Sequence, residues 1–223
     1  MLRYCLILFR ATPLEFRSFL RLTGTLVGVA VGLVLVAARA EATTVIPPEF
    51  PALVNGSDYI VRGVARSVTA EKRAGTNGTR IVTRVEIEVT EAVAGTPPTP
   101  LVLELLGGTV GDETMTVEGM PRFRVGDEDI LFVSGNGRTI CPLRGMMYGR
   151  YPIMKDGATG RSYVARFDGE PLAGVTQVAS ALDEGAAGGS RRVAAVAAAL
   201  TPAEFIREIK AAITSDAVFN RAK

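Results

Sequence analysis

The sequence predicts a mainly β domain of antiparallel strands followed by one C-terminal α-helix. Residues 81–93 (IVTRVEIEVTEAV) alternate apolar or β-branched positions with mostly charged ones, which is the period-two pattern of a strand with one buried face. Further short apolar runs, separated by turns rich in Gly, Pro and Asn, follow up to residue 167. Residues 201–204 (TPAE) then supply a Thr cap, a Pro at the first helical position and a capping-box Glu.

The N-terminus is predicted to be an export signal. Residues 1–21 carry four arginines among apolar residues, and residues 22–38 form an uncharged apolar run that is followed by small residues. This is the layout of a secretory signal, with cleavage expected after Ala40 or Ala42. An uncleaved anchor helix in the inner membrane is the alternative, but the run is shorter than the ~20 residues of a typical span and contains glycines. We therefore expect residues 1–40 to be a signal peptide and the mature protein to be periplasmic or secreted.

The first part of the mature chain is predicted to lead into a long hairpin. Residues 41–57 include three prolines and end in Asn-Gly-Ser, which is typical of an extended lead-in. A β-domain over residues 58–182 is expected to follow. Its first strand, residues 58–70, should pair with residues 81–93, and Gly63 marks a bend or bulge.

The remaining elements follow the same turn signals. Asn-Gly at 136–137 predicts a second hairpin, and the turn KDGATG predicts a third. A stripe of Phe205, Ile206, Ile209 and Ile213 marks the apolar face of the C-terminal helix. The predicted elements are strands at 101–106, 113–118, 130–133, 138–143, 146–154 and 161–167, a linker at 183–200 and a helix at 201–214.

Composition excludes several classes of site. The chain has no histidine, which removes Ser-His and Cys-His couples and zinc sites that need imidazole. Cys5 lies in the predicted signal, so the mature chain keeps only Cys141, which is expected to be a core residue rather than a nucleophile. Residues 1–40 hold five arginines against one glutamate, which leaves 20 basic and 22 acidic residues in the rest of the chain. We expect no cofactor, no metal and no nucleic-acid partner.

Two groups of residues are candidates for a site. Tyr148, Tyr151 and Tyr163 are expected either to line a surface patch that contacts a ligand or to pack in the core. A hydrolase that uses carboxylates alone, as glycosidases do, is the enzymatic alternative, although a solvated strand face is the simpler explanation of these acids. Its candidate residues are Glu86, Glu88, Glu104, Asp127 and Asp129.

Three blocks carry a resemblance to a known family. They are DYIVRGV at 58–64, VEIEVTEAVAG at 85–95 and FRVGDEDILF at 123–132. Over residues 58–153 the chain resembles a family of uncharacterised exported bacterial β-domains, found alone or ahead of matrixin-type metalloproteases. More distantly, it is similar to the netrin-like module of the tissue inhibitors of metalloproteases. The resemblance implies a partly open, OB-like antiparallel barrel and export.

The departures from that pattern limit what the resemblance implies about activity. Netrin-like inhibitors begin with a cysteine that ligates the protease zinc and are held by disulfides, and the predicted mature chain offers neither. We therefore expect an exported, non-enzymatic β-domain that binds a protein or another extracytoplasmic ligand. The alternatives are the carboxylate-dependent hydrolase and, if the leader is retained, a membrane-tethered accessory subunit.

Overall fold

The computed structural model of the chain describes residues 46–75, 78–180 and 189–221. Within these ranges no helix is long and apolar enough to cross a membrane. The predictions for the N-terminus lie outside the described residues: the signal peptide of residues 1–40, its cleavage residues Ala40 and Ala42, and the alternative anchor of residues 22–38.

The predicted mainly β class is confirmed. Six strands form one antiparallel sheet in the order β3-β2-β1-β6-β7-β8, and β4 and β5 form a separate two-stranded sheet. The strands are β1 (Tyr59–Gly75), β2 (Gly78–Ala94), β3 (Leu101–Leu106), β4 (Gly108–Val110), β5 (Glu113–Met115), β6 (Glu128–Val133), β7 (Arg150–Lys155) and β8 (Ser162–Val164).

The long hairpin that the sequence predicts is formed by β1 and β2. Each strand has 17 residues, and their register runs from Ile60 opposite Ala94 to Gly75 opposite Gly78. The predicted irregularity at Gly63 is confirmed, because the register shifts between Arg62 and Gly63. Further register shifts lie between Ile60 and Val61 and between Ala65 and Ser67, which are typical of β-bulges.

The sheet is covered on both faces. One apolar cluster lies on one face, which we call the inner face, and contains Val85, Leu103 and Leu131. The other lies on the outer face, where Phe132 and Tyr151 pack against helices. The helices are α1 (Phe50–Asn55), α2 (Gly189–Ala198), α3 (Pro202–Ala211) and α4 (Val218–Arg221), together with 3-10 turns at Met146–Gly149 and Val175–Ala179.

The C-terminal helix is confirmed as α3. Its capping box is complete: the Glu204 N–H donates to Thr201 Oγ1 at 3.3 Å, and the Thr201 N–H donates to Glu204 Oε2 at 2.8 Å. Phe205, Ile206 and Ile209 are buried against the outer face of the sheet. The apolar stripe thus covers the sheet, as its spacing indicates.

The structure differs from the predicted lead-in and linker. Within residues 41–57, α1 is helical because Pro51 fits the first turn and Leu53 and Val54 are fully buried. Within residues 183–200, α2 is helical, and Arg161 donates to carbonyls at its C-terminal end, at 2.7 Å to Val196 and 2.6 Å to Ala199. In both cases tertiary contacts outweigh the local composition.

The second predicted hairpin is only partly formed. Residues 138–143 form no strand and contribute a single bridge between Leu143 and Val133. Pro142 lacks the N–H that a regular strand needs, which accounts for the interruption. The third hairpin is confirmed, although β7 begins at Arg150 because Gly145, with φ +69°, opens a 3-10 turn first.

Gly63 provides a test of the bulged hairpin. An added Cβ would lie 2.7 Å from the Glu88 carbonyl oxygen and 2.5 Å from Ile87 Cγ2. We expect Gly63→Ala to lower the free energy of unfolding by about 2 kcal/mol, because the two strands must separate to admit a methyl group. Gly157→Ala is the matched control, since an added Cβ there meets no atom within 4 Å. Equal urea midpoints for both variants would contradict the described packing.

Candidate functional site

An open cleft of about 370 Å³ lies between the inner face of the β1–β2 hairpin and the chain from Gly107 to Phe123. We call it the β4–β5 cleft. Val68 and Leu105 contribute apolar surface from the sheet side, and Met115, Val117, Met120 and Phe123 contribute it from the opposite side. The volume lies within the ~300–1,000 Å³ range of ligand sites in proteins.

Polar groups in the cleft are almost all hydroxyls. Thr83, Thr109, Thr114 and Thr116 line it, and the hydroxyls of Thr109 and Thr114 are 3.0 Å apart across the small sheet. Among the described lining residues only Arg122 is ionisable. Its side chain makes no ion pair with any residue that the structure describes. The cleft therefore combines apolar surface, neutral hydrogen-bonding groups and one positive charge.

The first wall of the cleft is the chain directly after β3, from Gly107 to Thr109, and two glycines bring it close to the hairpin. Gly107 and Gly108 follow β3 with φ of +105° and +134°, which L-residues with side chains rarely adopt. The Gly107 N–H donates to the Ile81 carbonyl at 2.8 Å, and the Thr83 hydroxyl donates to the Gly107 carbonyl at 2.6 Å. An added Cβ at Gly108 would lie 2.4 Å from Thr83 Oγ1, so only glycine permits this approach.

The second wall of the cleft is formed where Arg122 and Phe123 line it, and a buried arginine contacts this segment. Arg150 on β7 donates from Nε to Asp129 Oδ1 at 2.8 Å and from Nη2 to Asp127 Oδ2 at 2.7 Å. Its Nη1 donates to the Arg122 carbonyl, and its guanidinium carbon lies 4.3 Å from the centre of the Phe123 ring. Since Arg150 and Asp129 are 7% and 1% exposed, these contacts are shielded from water. One side chain thus ties the 122–129 segment to the main sheet.

The same pair accounts for the electrostatics beside the cleft. Burial raises the pKa of Asp129, and the adjacent Arg150 guanidinium opposes that shift. The Arg150 charge is in turn shared between two carboxylates and a carbonyl, so it is not available to a ligand. Arg122 is the cation that the cleft presents.

The five carboxylates of the hydrolase hypothesis do not meet in one concave site. Glu86 and Glu88 lie on the exposed face of β2, and Glu88 pairs with an arginine there. Glu104 accepts two hydrogen bonds from one arginine, which lower the pKa of its carboxyl group. Asp127 and Asp129 do converge, but on the Arg150 guanidinium.

The three candidate tyrosines lie in the interior. Tyr148, Tyr151 and Tyr163 are 8%, 2% and 4% exposed, which matches the core-packing alternative rather than an exposed patch. The ring centre of Tyr151 is 5.5 Å from that of Phe132, and burial raises the pKa of its hydroxyl. Tyr151 belongs to the outer-face cluster, and Tyr163 packs in a smaller cluster with Ala165 and Ala199.

Sequence reasoning missed the residues of the cleft. Apart from Thr83 on β2, its threonines belong to short strands and loops, and its apolar residues come from segments that are far apart in sequence. The nearest sequence signal is the Gly107-Gly108 pair directly after a strand, since adjacent glycines often permit a close backbone approach. No pattern in the sequence singles out Arg122.

The function of the cleft is inferred from its geometry, because the comparisons with family models and curated sequences supply no relative. No protein-family model matches the chain, and no curated protein is detectably similar to it in sequence. Within the described ranges there is no group of three or more His, Cys, Asp or Glu side chains that could hold a metal ion.

Asp129 tests whether the Arg150 network supports the cleft wall. We expect Asp129→Asn to lower the free energy of unfolding by about 3 kcal/mol, because it leaves a buried guanidinium without its best partner. Glu128→Gln, the same change one residue earlier in a half-exposed ion pair with Arg62, should cost less than about 1 kcal/mol. Denaturant titration distinguishes the two, and a smaller loss at Asp129 than at Glu128 would contradict the network.

Cys141 tests the packing on the inner face. It is 8% exposed, and burial raises the pKa of its thiol, so little thiolate is present near neutral pH. In a Cys5→Ser variant, we expect a maleimide reagent to modify Cys141 at least about tenfold more slowly in the folded protein than in denaturant. Equal rates in both conditions would show that this part of the core is open.

Proposed function

We propose that the protein is an exported, non-enzymatic binding module whose ligand occupies the β4–β5 cleft. One observation carries this proposal: the cleft combines apolar surface, a set of threonine hydroxyls and Arg122, which makes no ion pair with any residue that the structure describes. Apolar surface supplies binding free energy, and a few placed polar groups fix the orientation of the ligand.

The chemistry of the lining favours binding over hydrolysis. General acid–base catalysis is carried out mainly by His, Glu, Asp, Lys, Tyr and Cys side chains. Threonine hydroxyls need an adjacent base to act as nucleophiles. Among the described residues that line the cleft there is no carboxylate, thiol or amine to supply one.

We also propose that the main sheet is the partly open, OB-like barrel that the family resemblance implies. Contacts outside the regular strands support it. The Leu106 N–H on edge strand β3 donates to the Ile140 carbonyl, and the Arg144 N–H donates to the Phe132 carbonyl on β6, both at 2.8 Å. Residues 140–144 would then connect β3 to β6. Because β6 pairs with β1, the sheet would close into a ring through β1, β2 and β3. Such closure leaves a mouth at one end, where ligand sites of barrels commonly lie.

Export rests on the sequence of the leader and has its own test. We expect the intact mass of protein from the extracytoplasmic fraction to match a start at Glu41 or Thr43, as cleavage after Ala40 or Ala42 requires. A full-length mass in washed membranes would contradict cleavage. That result would instead support a membrane-tethered accessory subunit.

Filling the cleft tests the proposed site. Anilinonaphthalene sulfonate is a suitable probe because it has apolar rings and one anionic group to complement Arg122. We expect its fluorescence to rise on binding, and Val117→Trp to weaken that binding about tenfold by occupying the cleft. Val125→Trp is the matched control, because Val125 is 67% exposed and does not line the cleft. Equal affinities for both variants would overturn this location.

A further inference from the structure

One edge of the long hairpin is unpaired next to the cleft. The edge of β1 that faces away from β2 pairs with β6 from Tyr59 to Val64. Backbone hydrogen bonds with Gly126 and Asp127 extend this contact to Ala65. Beyond Ala65 that edge pairs with no described strand, although β1 continues to Gly75. A strand edge presents free N–H and C=O groups to any extended chain beside it.

The side chains that lie on the inner face show to which edge of β1 the backbone N–H and C=O groups point. Ala65 lies on that face and directs both backbone groups at the β6 side, where its N–H donates to Asp127 at 2.9 Å and its carbonyl accepts from Gly126 at 2.8 Å. Strand residues whose side chains share a face direct their backbone groups to the same edge. Val68 and Ala70 line the cleft on the inner face, so their backbone groups point to the free edge.

The free edge lacks the usual protection where it adjoins the cleft. Proteins guard exposed edges with charged residues, prolines or bulges. Here a register shift lies at Arg66 and charged residues begin at Glu71, whereas residues 67–70 (SVTA) are uncharged and contain no proline. The unguarded window is therefore the part of β1 that lines the cleft.

We propose that the ligand is an extended peptide that adds to β1 as a further strand along residues 67–70. Its backbone would pair with Val68 and Ala70, and its alternate apolar side chains would enter the β4–β5 cleft, because neighbouring strands place side chains of one face side by side. This inference rests on the proposed function and specifies the class of ligand.

The charge of the cleft sets the second requirement. Arg122 lines the cleft without an ion pair to any described residue, and a carboxylate can accept two parallel hydrogen bonds from a guanidinium. The peptide therefore carries a carboxylate beside its apolar residues. Either an acidic side chain or a free C-terminus would provide it, and amidated peptides distinguish the two.

Selection from a synthetic pool of random octapeptides on the exported protein tests this inference. Each peptide is made with a free and with an amidated C-terminus, and the retained peptides are identified by mass spectrometry. With a retained peptide bound, we expect amide hydrogen exchange at Val68 and Ala70 to slow by about tenfold, with no change at Ala74. This measurement uses the unaltered protein and does not depend on whether any variant folds.

Two proline substitutions on one strand edge provide matched variants. Ala70→Pro removes an N–H that points to the free edge, and we expect it to weaken binding of the retained peptide by about tenfold. Ala74→Pro makes the same change on the same edge outside the cleft and should leave affinity within about twofold. Circular dichroism confirms that both variants are folded. Arg122→Gln should weaken binding of carboxylate-bearing peptides by about tenfold.

The outcomes separate this inference from the proposed function. Retained peptides that leave exchange at Val68 and Ala70 unchanged, or that bind both proline variants equally, would overturn strand addition. The cleft would remain the ligand site if Val117→Trp still blocked them. No retained peptide, with anilinonaphthalene sulfonate still bound in the cleft, would overturn the peptide class alone. Loss of both peptide and dye binding would overturn the proposed function as well.

Discussion

The candidate site depends on the contacts that the buried guanidinium of Arg150 makes. It contacts two carboxylates, a backbone carbonyl and an aromatic ring, all within the segment from Arg122 to Asp129. That segment has no regular secondary structure before β6 begins at Glu128. Backbone hydrogen bonds with Ala65 hold its later part at Gly126 and Asp127, and Arg150 adds contacts to its beginning through the Arg122 carbonyl and the Phe123 ring. Without Arg150, Arg122 and Phe123 in the second wall of the β4–β5 cleft would lose these directed contacts.

Burying the charges of Arg150 and Asp129 costs desolvation free energy, which suggests that the pair serves to fix position. Burying a charge pair requires desolvation that its attraction roughly offsets, so an apolar pair of similar volume would serve stability as well. A guanidinium, unlike an apolar side chain, specifies position through several directed hydrogen bonds. Two glycines do comparable work at the first wall, where Gly107 and Gly108 allow the backbone to approach Thr83. Both walls are thus positioned by polar contacts, and the cleft between them stays open.

The sequence predicts the regular part of this fold well for a physical reason. Alternation over residues 81–93, the capping box at Thr201 and the irregular Gly63 are local patterns, and the corresponding structures are local too. The helix Phe50–Asn55 is missed because its stability comes from burial of Leu53 and Val54 against distant residues. Local composition does not contain that information.

The sequence contains almost no local pattern that predicts the site. Its lining comes from five separate segments of the chain. In the sequence, Arg122 resembles any other surface arginine, because the hydrogen bond from Arg150 to its carbonyl forms only in the folded protein. The candidate tyrosines fail as an exposed patch because side chains with large apolar area gain more from the core than from the surface. The five candidate acids are likewise accounted for by solvent exposure or by arginine partners.

Methionine methyl groups allow the central claim, that the β4–β5 cleft is the ligand site, to be tested directly. Met115 and Met120 line the cleft, whereas Met154 lies on β7 with 41% of its surface exposed. In protein labelled with carbon-13 at the methionine methyls, a retained octapeptide is added and the resonances are followed by NMR. The account predicts shifts at Met115 and Met120 with Met154 unchanged. Shifts at Met154 alone, with the two cleft methionines unaffected, would contradict it.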